Sequence, residues 1–234
     1  MTGLAQKHVV VTGGTGQLGS AVVARLLEAG AVCHVPNSHA AAPGHFPFAA
    51  HERVRLVNNV YLADSPAVDA FYRDVPDLWA SIHLAGGFAM APFEKTESAS
   101  FAEMMETNVH TTFLCSRAAV RAMLAGRTAG RIVNVSARPG LDPRRGGGMV
   151  AYAASKAAVA AMTVALAEEV KARGILVNAV APSTLDTASN RADMPDADFT
   201  RWVGLEAAAE AIVHLASPLN QIVSGALVPL YGRA

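Results

Sequence analysis

Short apolar runs rich in β-branched residues alternate along this chain with longer segments whose apolar residues recur every three or four positions. The short runs predict strands near residues 7–12, 31–36, 53–57, 79–84, 130–136, 175–180 and 225–230. The longer segments predict helices near residues 17–29, 64–74, 98–125, 149–173 and 205–216. This alternation favours an α/β fold with one doubly wound parallel sheet of about seven strands and helices on both faces. No linker or repeat interrupts the pattern, so we expect residues 1–234 to form a single domain.

Three segments, 37–51, 140–148 and 182–202, show neither the strand pattern nor the helix pattern. We therefore predict loops there. The third is long and polar, which is typical of a segment that closes over a substrate. Met194, Phe199 and Trp202 give it apolar anchors. We therefore expect this segment to be a lid.

A glycine-rich turn follows the first predicted strand. After the apolar run 9–12 come Gly13, Gly14, Gly16 and Gly19, and a helical pattern begins at once. Three of these glycines fit the GxGxxG spacing, which lets the backbone approach a diphosphate at a helix N-terminus. An ordinary glycine turn is the alternative interpretation. The strand–turn–helix context favours a Rossmann-type dinucleotide-binding domain.

Tyr152 and Lys156 are spaced i, i+4 in an Ala-rich segment, so they share one face of a predicted helix. A lysine ammonium beside a phenol stabilises the phenolate and lowers the pKa of the tyrosine. Such a pair is suited to proton transfer near neutral pH. The alternative is an Ala-rich helix that carries these two residues by chance.

Composition excludes several other classes of function. Hydrophobic residues make up 52% of the 234 residues, charged residues make up 16%, and the net charge is zero, so we expect no nucleic-acid partner. We expect no membrane span, because no apolar segment of about 18 residues is free of charge. Cys33 and Cys115 lie in apolar surroundings, which predicts reduced core thiols in a cytoplasmic protein. The scattered histidines predict no metal site.

Together with further motifs in the same order, the glycine turn and the Tyr/Lys pair resemble the short-chain dehydrogenase/reductase family. The further motifs are LAGG at 84–87, TNVHTTF around Asn108, RIVNVSA at 131–137, NAVAPSTLDT at 178–187 and SGALVPLYG at 224–232. The resemblance covers nearly the whole chain. It implies a small-molecule substrate, a nicotinamide dinucleotide and a homodimer or homotetramer. The two long Ala-rich helices would form the subunit contact.

The resemblance also implies roles for individual residues. Tyr152 would donate the proton, Lys156 would lower the pKa of Tyr152 and bind the nicotinamide ribose, and Asn108 would hold a water beside Lys156. Ser136 is the remaining catalytic candidate. The residues expected to bind the cofactor are Gly13, Thr15, Gly16, Gln17, Leu18, Gly19, Asn37, Ser38, Asn59, Val60, Ala85, Gly86, Tyr152, Lys156, Pro182, Thr184, Leu185 and Thr187.

The chain departs from the main branch of the family at several positions. Gln17 replaces the middle glycine of the phosphate turn, and Ser183 replaces a glycine after Pro182. Where the family has two serines at the end of the fifth strand and the second is catalytic, this chain has Ser136 and then Ala137. Two interpretations of Ser136 stay open: it contacts the substrate, or it only binds the backbone at the strand end.

The segment 184–203 and the motif LAGGF at 84–88 resemble dihydropteridine reductases, a subfamily that lacks the catalytic serine. A serine that polarises a carbonyl helps most with a ketone, so its loss favours an electrophilic C=N or quinonoid substrate. We therefore predict a reductase that acts on a quinonoid dihydropterin-like or C=N/C=O substrate. The alternatives are a 3-oxoacyl thioester or simple ketone reductase (an alcohol dehydrogenase in reverse) and a non-catalytic dinucleotide-binding regulator.

The choice between NADP and NAD depends on the end of the second strand. An NAD enzyme carries an acidic residue about 20 residues after the glycines. Asn37 stands there instead, followed by Ser38 and His39, and no carboxylate repels a 2′-phosphate. We expect NADP, with NAD as the alternative. Asn59 is placed to contact the adenine, or is simply a polar residue at a strand end.

Overall fold

The computed structural model describes residues 2–233, and its seven strands form one parallel sheet in the order β3-β2-β1-β4-β5-β6-β7. The strands are β1 (His8–Thr12), β2 (Val32–Pro36), β3 (Val54–Val57), β4 (Leu78–His83), β5 (Arg131–Val135), β6 (Leu176–Pro182) and β7 (Leu227–Leu230). All seven predicted strands are confirmed within two residues at either end. The doubly wound parallel sheet is confirmed with them.

The principal helices lie on both faces of the sheet. They are α1 (Gln17–Glu28), α2 (Ser65–Arg73), α3 (Ser98–Met104), α4 (Thr111–Ala125), α5 (Arg138–Leu141), α6 (Val150–Val170), α7 (Ala188–Asp193) and α8 (Leu205–Ala216). One hydrophobic core joins α1 and α8 to one face of the sheet, and a second core joins α2, α4 and α6 to the other. Because both faces are covered, central strands such as β2 are buried along their whole length.

The strand order reverses at β1, since the chain passes from β1 to β2 on one side and returns to β4 on the other. A crevice forms at such a point, outside the carboxyl ends of the strands, and ligands of α/β sheets bind there. The glycine turn follows β1, Ala85 and Gly86 follow β4, and Ser136 follows β5. The fold therefore gathers the predicted site residues at one edge of the sheet.

Three predicted segments differ from the structure. The predicted loop 140–148 contains the end of α5 and a short 3-10 helix, Pro143–Gly146. The helix predicted at 98–125 is interrupted by a π-helical stretch, Met105–His110, between α3 and α4. The segment 182–202, predicted as a loop, contains α7, whose N-cap residue Thr187 accepts a hydrogen bond from Asn190 N at 3.1 Å. A π-bulge leaves no trace in a 3.6-residue pattern, and a one-turn helix held by its cap is too short to show periodicity.

The helix α6 and the turn after it, residues 150–173, are long and apolar enough to cross a membrane by length and composition, with a mean hydropathy of 1.5. In this fold α6 packs on β5 and β6 and buries Val159, Thr163 and Ala167. Packing against the sheet therefore accounts for its apolar composition.

Two histidines with lowered pKa values predict that the protein loses stability in acid. Burial lowers the pKa of both His34 and His83 to about 4, and the nearby His8 adds to the effect at His34. The unfolded chain binds protons that these folded imidazoles do not, so stability is complete above about pH 6.5 and falls as the pH drops toward 4. The expected loss is about 2–3 kcal/mol per histidine at pH 4.

Urea unfolding at pH 7 and pH 5 measures this dependence. His83→Gln should weaken it, whereas the same change at the exposed His39 should leave it intact. Equal unfolding free energies of the wild-type protein at the two pH values would contradict the assignment.

Candidate active site

The glycine turn after β1 has a conformation that only glycine allows at two positions. Gly13 has a φ angle of +65°, and a Cβ placed there would lie 2.7 Å from the backbone nitrogen of Ala85. A Cβ on Gly19 would lie 2.1 Å from the carbonyl oxygen of Gly13. Because the backbone segments approach this closely, the start of α1 packs directly on the ends of β1 and β4.

The first turn of α1 has the features of an anion site. Its N-cap residue, Gly16, provides no side-chain cap, so the first N–H groups of the helix have no side-chain acceptor there. The buried hydroxyl of Ser20 in the same turn also has no hydrogen-bond partner in residues 2–233. Uncapped N–H groups at the positive end of a helix fit the diphosphate of a dinucleotide. The predicted residues Thr15, Gln17 and Leu18 complete this turn.

Gln17, at the position of the family's middle glycine, connects the phosphate turn to the predicted lid. Its Oε1 accepts a hydrogen bond from the backbone N–H of Ala188 at 2.9 Å. Ala188 is the first residue of α7, and that N–H has no acceptor within its own helix. The residue that departs from the family pattern therefore fixes the lid helix over the cofactor turn.

Gln17→Ala should release this contact. One hydrogen bond contributes about 0.5–1.5 kcal/mol, so we expect NADPH affinity to fall by about two- to tenfold and residues 188–198 to be cleaved faster by protease. Gln17→Glu is the matched control, because a carboxylate still accepts from Ala188 N–H but repels a diphosphate. It should leave cleavage unchanged and lower affinity. Identical cleavage of wild type and Gln17→Ala would show that the contact does not hold the lid.

The structure brings Tyr152, Lys156, Asn108 and Gly86 together beside the glycine turn. A Cβ built on Gly86 would lie 2.6 Å from Asn108 Oδ1 and 3.3 Å from Lys156 Nζ. Lys156 is buried and donates a hydrogen bond from Nζ to the carbonyl oxygen of Val135 at 3.0 Å. Lys156 Nζ lies 5.8 Å from the centroid of the Tyr152 ring.

The pKa values in this cluster differ from the expectation. Burial raises the pKa of Tyr152 to about 12, and burial lowers the pKa of Lys156 to about 8. The expected lowering of the tyrosine pKa by Lys156 is therefore not seen. The loss of hydration outweighs the attraction of an ammonium that is directed to a strand carbonyl. At neutral pH Tyr152 is a protonated phenol and Lys156 is a cation.

Asn108 lies in the π-helical stretch and is fully buried. Its Oδ1 accepts from Gly87 N at 2.9 Å, and its Nδ2 donates to Gly87 O at 3.1 Å and to Ser155 Oγ at 3.0 Å. Ser155 Oγ in turn donates to the carbonyl oxygen of Tyr152 at 2.8 Å. The hydrogen bonds of the Asn108 side chain thus connect the LAGG segment to α6, the helix that carries Tyr152.

Ser136 does not face the crevice as a free hydroxyl. It is 1% exposed, and its Oγ donates to the carbonyl oxygen of Lys156 at 2.8 Å. This contact favours the second interpretation, in which the serine binds backbone at the strand end. Ala137, at the position of the family's catalytic serine, has no hydroxyl.

The side-chain amide of Asn37 donates its hydrogen bonds to residues at the ends of β2 and β3. It is buried, and its Nδ2 donates to Ala41 O at 2.9 Å, to Asn58 Oδ1 at 2.8 Å and to His39 O at 3.2 Å. Its amide donors are thus occupied in shaping the loop after β2. The neighbouring Ser38 and His39 are exposed and remain the candidates for the ribose end of the cofactor.

Asn59 and Val60 lie at the adjacent strand end, after β3. Asn59 has a left-handed backbone with a φ angle of 59°, and its N–H donates to His39 O at 3.2 Å. Val60 is buried, and its N–H donates to Asn37 O at 2.9 Å. These contacts close the wall of the crevice beyond β2, where the adenine was predicted.

The segment that follows β6 begins after the buried Pro182 and reaches the phosphate turn through the hydrogen bond between Ala188 and Gln17. Thr184 O accepts from Val203 N at 2.9 Å, and Leu185 forms a bridge to the same residue, so the two ends of the segment are joined. The hydroxyl of Thr187 caps α7. The segment is thus closed at its base, as a lid requires.

The sequence interpretation missed three residues at this site. Phe88 packs edge-on against Tyr152, with ring centroids 4.9 Å apart, although the residue is 61% exposed. Ser155 supports Tyr152, and Arg138 stacks on Tyr231, with Cζ 4.8 Å from the ring centroid. Ser155 could have been predicted as a site residue, because it lies one residue before Lys156. The contacts of Phe88 and Arg138 join distant segments and left no sequence pattern.

Comparisons with known proteins agree with this geometry. A family model described as short chain dehydrogenase matches residues 7–198. Galactitol 2-dehydrogenase of Rhizobium johnstonii is 31% identical, over 95% of this chain and 92% of its own length. Acetoacetyl-CoA reductase of Allochromatium vinosum is 30% identical, over 95% of this chain and 96% of its own length. The structure of ElxO with NADP bound has a TM-score of 0.87 at 22% identity, over 97% of this chain and 98% of that one.

The chain therefore belongs to the short-chain dehydrogenase/reductase family. It is an NAD(P)-dependent oxidoreductase that acts on a small molecule.

Proposed function

We propose that this protein, acting as a single dinucleotide-binding domain, is an NADPH-dependent reductase of an electrophilic C=N or quinonoid substrate such as a dihydropterin. The observation that carries the proposal is the pair Ser136 and Ala137. One hydroxyl is bound to Lys156 O and the other is absent, so Tyr152 acts without a neighbouring serine. A substrate that is already electrophilic depends least on a polarising serine.

A bound nicotinamide dinucleotide supplies the hydride, and the glycine turn, the uncapped start of α1 and Lys156 are the groups that would hold it. Tyr152 supplies the proton. Burial keeps its phenol protonated at neutral pH, which is the form that a reductase needs. Lys156, a cation at that pH, stabilises the phenolate that remains after the proton leaves.

The cofactor preference follows from the loop after β2. Asn37 provides no carboxylate against a 2′-phosphate, and Ser38 and His39 are exposed beside it. His45 from the same loop lies within 3.0 Å of Thr15 O, so a third polar group faces the phosphate turn. The similar structure of ElxO holds NADP. These features support NADPH over NADH.

A second candidate is reduction of a 3-oxoacyl thioester or simple ketone. Acetoacetyl-CoA reductase of Allochromatium vinosum matches 95% of the chain, which favours this class independently of the site. Phe88, Met90 and Phe93 are exposed in the segment after β4 and give the entrance an apolar surface that suits either class.

A spectrophotometric screen with NADPH and NADH separates the two candidates. The substrates are quinonoid dihydropterin, cyclic imines, diketones and acetoacetyl thioesters. Ala137→Ser restores the missing hydroxyl and should raise ketone turnover relative to dihydropterin turnover. High wild-type activity on simple ketones, with none on quinonoid dihydropterin, would overturn the proposal in favour of the second candidate.

We also propose that the protein is a homodimer or homotetramer joined through α4 and α6. Phe113 on α4 is 46% exposed and Val164 on α6 is 44% exposed. Ala154 and Ala161 share the outer, exposed face of α6. Small residues let two helices approach closely.

Sedimentation at micromolar concentration should give at least twice the mass of one chain. Val164→Glu should lower the measured mass to that of one chain.

A further inference from the structure

Arg138 is a charged side chain that the reaction described above leaves unexplained. Its Nε is buried and has no hydrogen-bond partner. Throughout residues 2–233, its guanidinium has no carboxylate within ion-pair distance and forms no hydrogen bond. Arg138 as a residue is only partly buried, but a buried donor atom without a partner is costly and calls for an explanation.

The position of Arg138 is fixed relative to the catalytic helix. It follows Ala137 directly at the carboxyl end of β5 and begins the short turn α5. Gly140 in that turn packs against α6, where an added Cβ would lie 2.7 Å from the carbonyl carbon of Lys156. The backbone of Arg138 therefore starts from the same strand end as Ala137, the position of the family's catalytic serine.

The aromatic ring of Tyr231 orients the guanidinium of Arg138. Cζ of Arg138 lies 4.8 Å from the centroid of the Tyr231 ring, just beyond β7. The carbonyl oxygen of Tyr231 accepts a hydrogen bond from Ser183 Oγ at 2.9 Å. This bond connects Tyr231 to the residue that follows Pro182. Tyr231 also lines a cleft of about 680 Å³ between the start of α8 and the residues after β7, together with Trp202 and Arg233.

Stacking of this kind holds the face of a guanidinium and leaves its N–H edge available. That edge matches the two oxygens of a carboxylate. A second cation, Arg233, lines a cleft that Tyr231 also lines, and the carboxylate of Asp186 is bound to Arg191.

We propose that Arg138 binds a carboxylate of the substrate, so that the substrate is a carbonyl or imine compound bearing an acid group. This inference rests on the proposed reductase function. The ion pair would supply the orientation that a serine hydroxyl provides elsewhere in the family.

Matched pairs of acids and amides test the inference. A cyclic imine acid, 1-pyrroline-2-carboxylate, and the keto acids pyruvate and levulinate, which represent the second candidate, are each compared with the corresponding amide, by NADPH oxidation and by the melting temperature of the NADPH complex. The wild-type protein should prefer at least one acid by about 10- to 100-fold in kcat/KM, the range for a charge-assisted hydrogen bond. Arg138→Gln should abolish that preference mainly through KM, and Arg138→Lys should restore part of it.

Arg144→Gln is the matched control, since it removes the same charge from an exposed position of the same loop and should keep the preference. Equal use of acids and amides by the wild-type protein, with no acid raising its melting temperature more than the amide, overturns the inference and leaves the reductase function standing. Acids that stabilise the wild-type complex but not Arg138→Gln, without turnover of any substrate, support the inference and overturn the reductase function.

Discussion

Replacing Tyr152 by phenylalanine should lower turnover by about 10²- to 10⁴-fold, the usual contribution of a general acid. Tyr152 is the proposed proton donor at the crevice, since Ser136 is bound to Lys156 O and Ala137 has no hydroxyl. No other hydroxyl from that strand end can take over the proton transfer. Initial rates of NADPH oxidation with the best substrate of the screen measure the effect.

The same substitution should leave cofactor binding nearly intact. The phenyl ring of the variant keeps the edge-on contact with Phe88, and the hydrogen bond from Ser155 Oγ uses the Tyr152 backbone. NADPH affinity within about twofold of wild type, together with an unchanged melting temperature, is the control. Turnover within about threefold of wild type would remove Tyr152 from its role.

Lys156→Ala should lower both turnover and cofactor affinity, because one ammonium serves the phenol and the predicted ribose site. It also removes the donor that satisfies Val135 O at 3.0 Å. A buried carbonyl without a partner costs about 1–3 kcal/mol, so the variant should also unfold at a lower temperature. Lys156→Arg, which keeps a charge, separates the electrostatic loss from the loss of stability.

The pH dependence of kcat/KM is a second test of the role of Lys156. Burial lowers its pKa to about 8, so the wild-type kcat/KM should fall as the pH rises through 8 and the ammonium loses its proton. Without Lys156 the alkaline limb should move upward, toward the pKa of about 12 that burial gives Tyr152. An alkaline limb at the same pH in wild type and Lys156→Ala would show that another group controls it.

Much of the site was predictable because its signals are local. The glycines of the phosphate turn are required by their own backbone and by contacts a few residues away, as the 2.1 Å approach of a Gly19 Cβ to Gly13 O shows. Tyr152 and Lys156 share a helix face through their spacing alone. The seven strands were found for the same reason, since burial on both faces imposes continuous apolar runs.

The roles of single polar residues were less predictable. Ser136, Asn37 and Gln17 were each assigned from their position in a motif. In the structure, Ser136 binds the backbone of α6, Asn37 shapes its own loop, and Gln17 holds the start of α7. A hydrogen bond depends on atoms that approach within about 3 Å, and those partners lie up to 171 residues away in the chain.

The sequence by itself determined the order of strands and helices, the dinucleotide turn and the Tyr152/Lys156 pair, because periodicity and glycine conformation act over a few residues. Only the tertiary structure decided the protonation of that pair, since burial of Tyr152 and Lys156 moves their pKa values in opposite directions. It likewise decided that Arg138 is held on Tyr231 without an acidic partner. Desolvation and long-range contact are properties of the packed chain, and no local pattern encodes them.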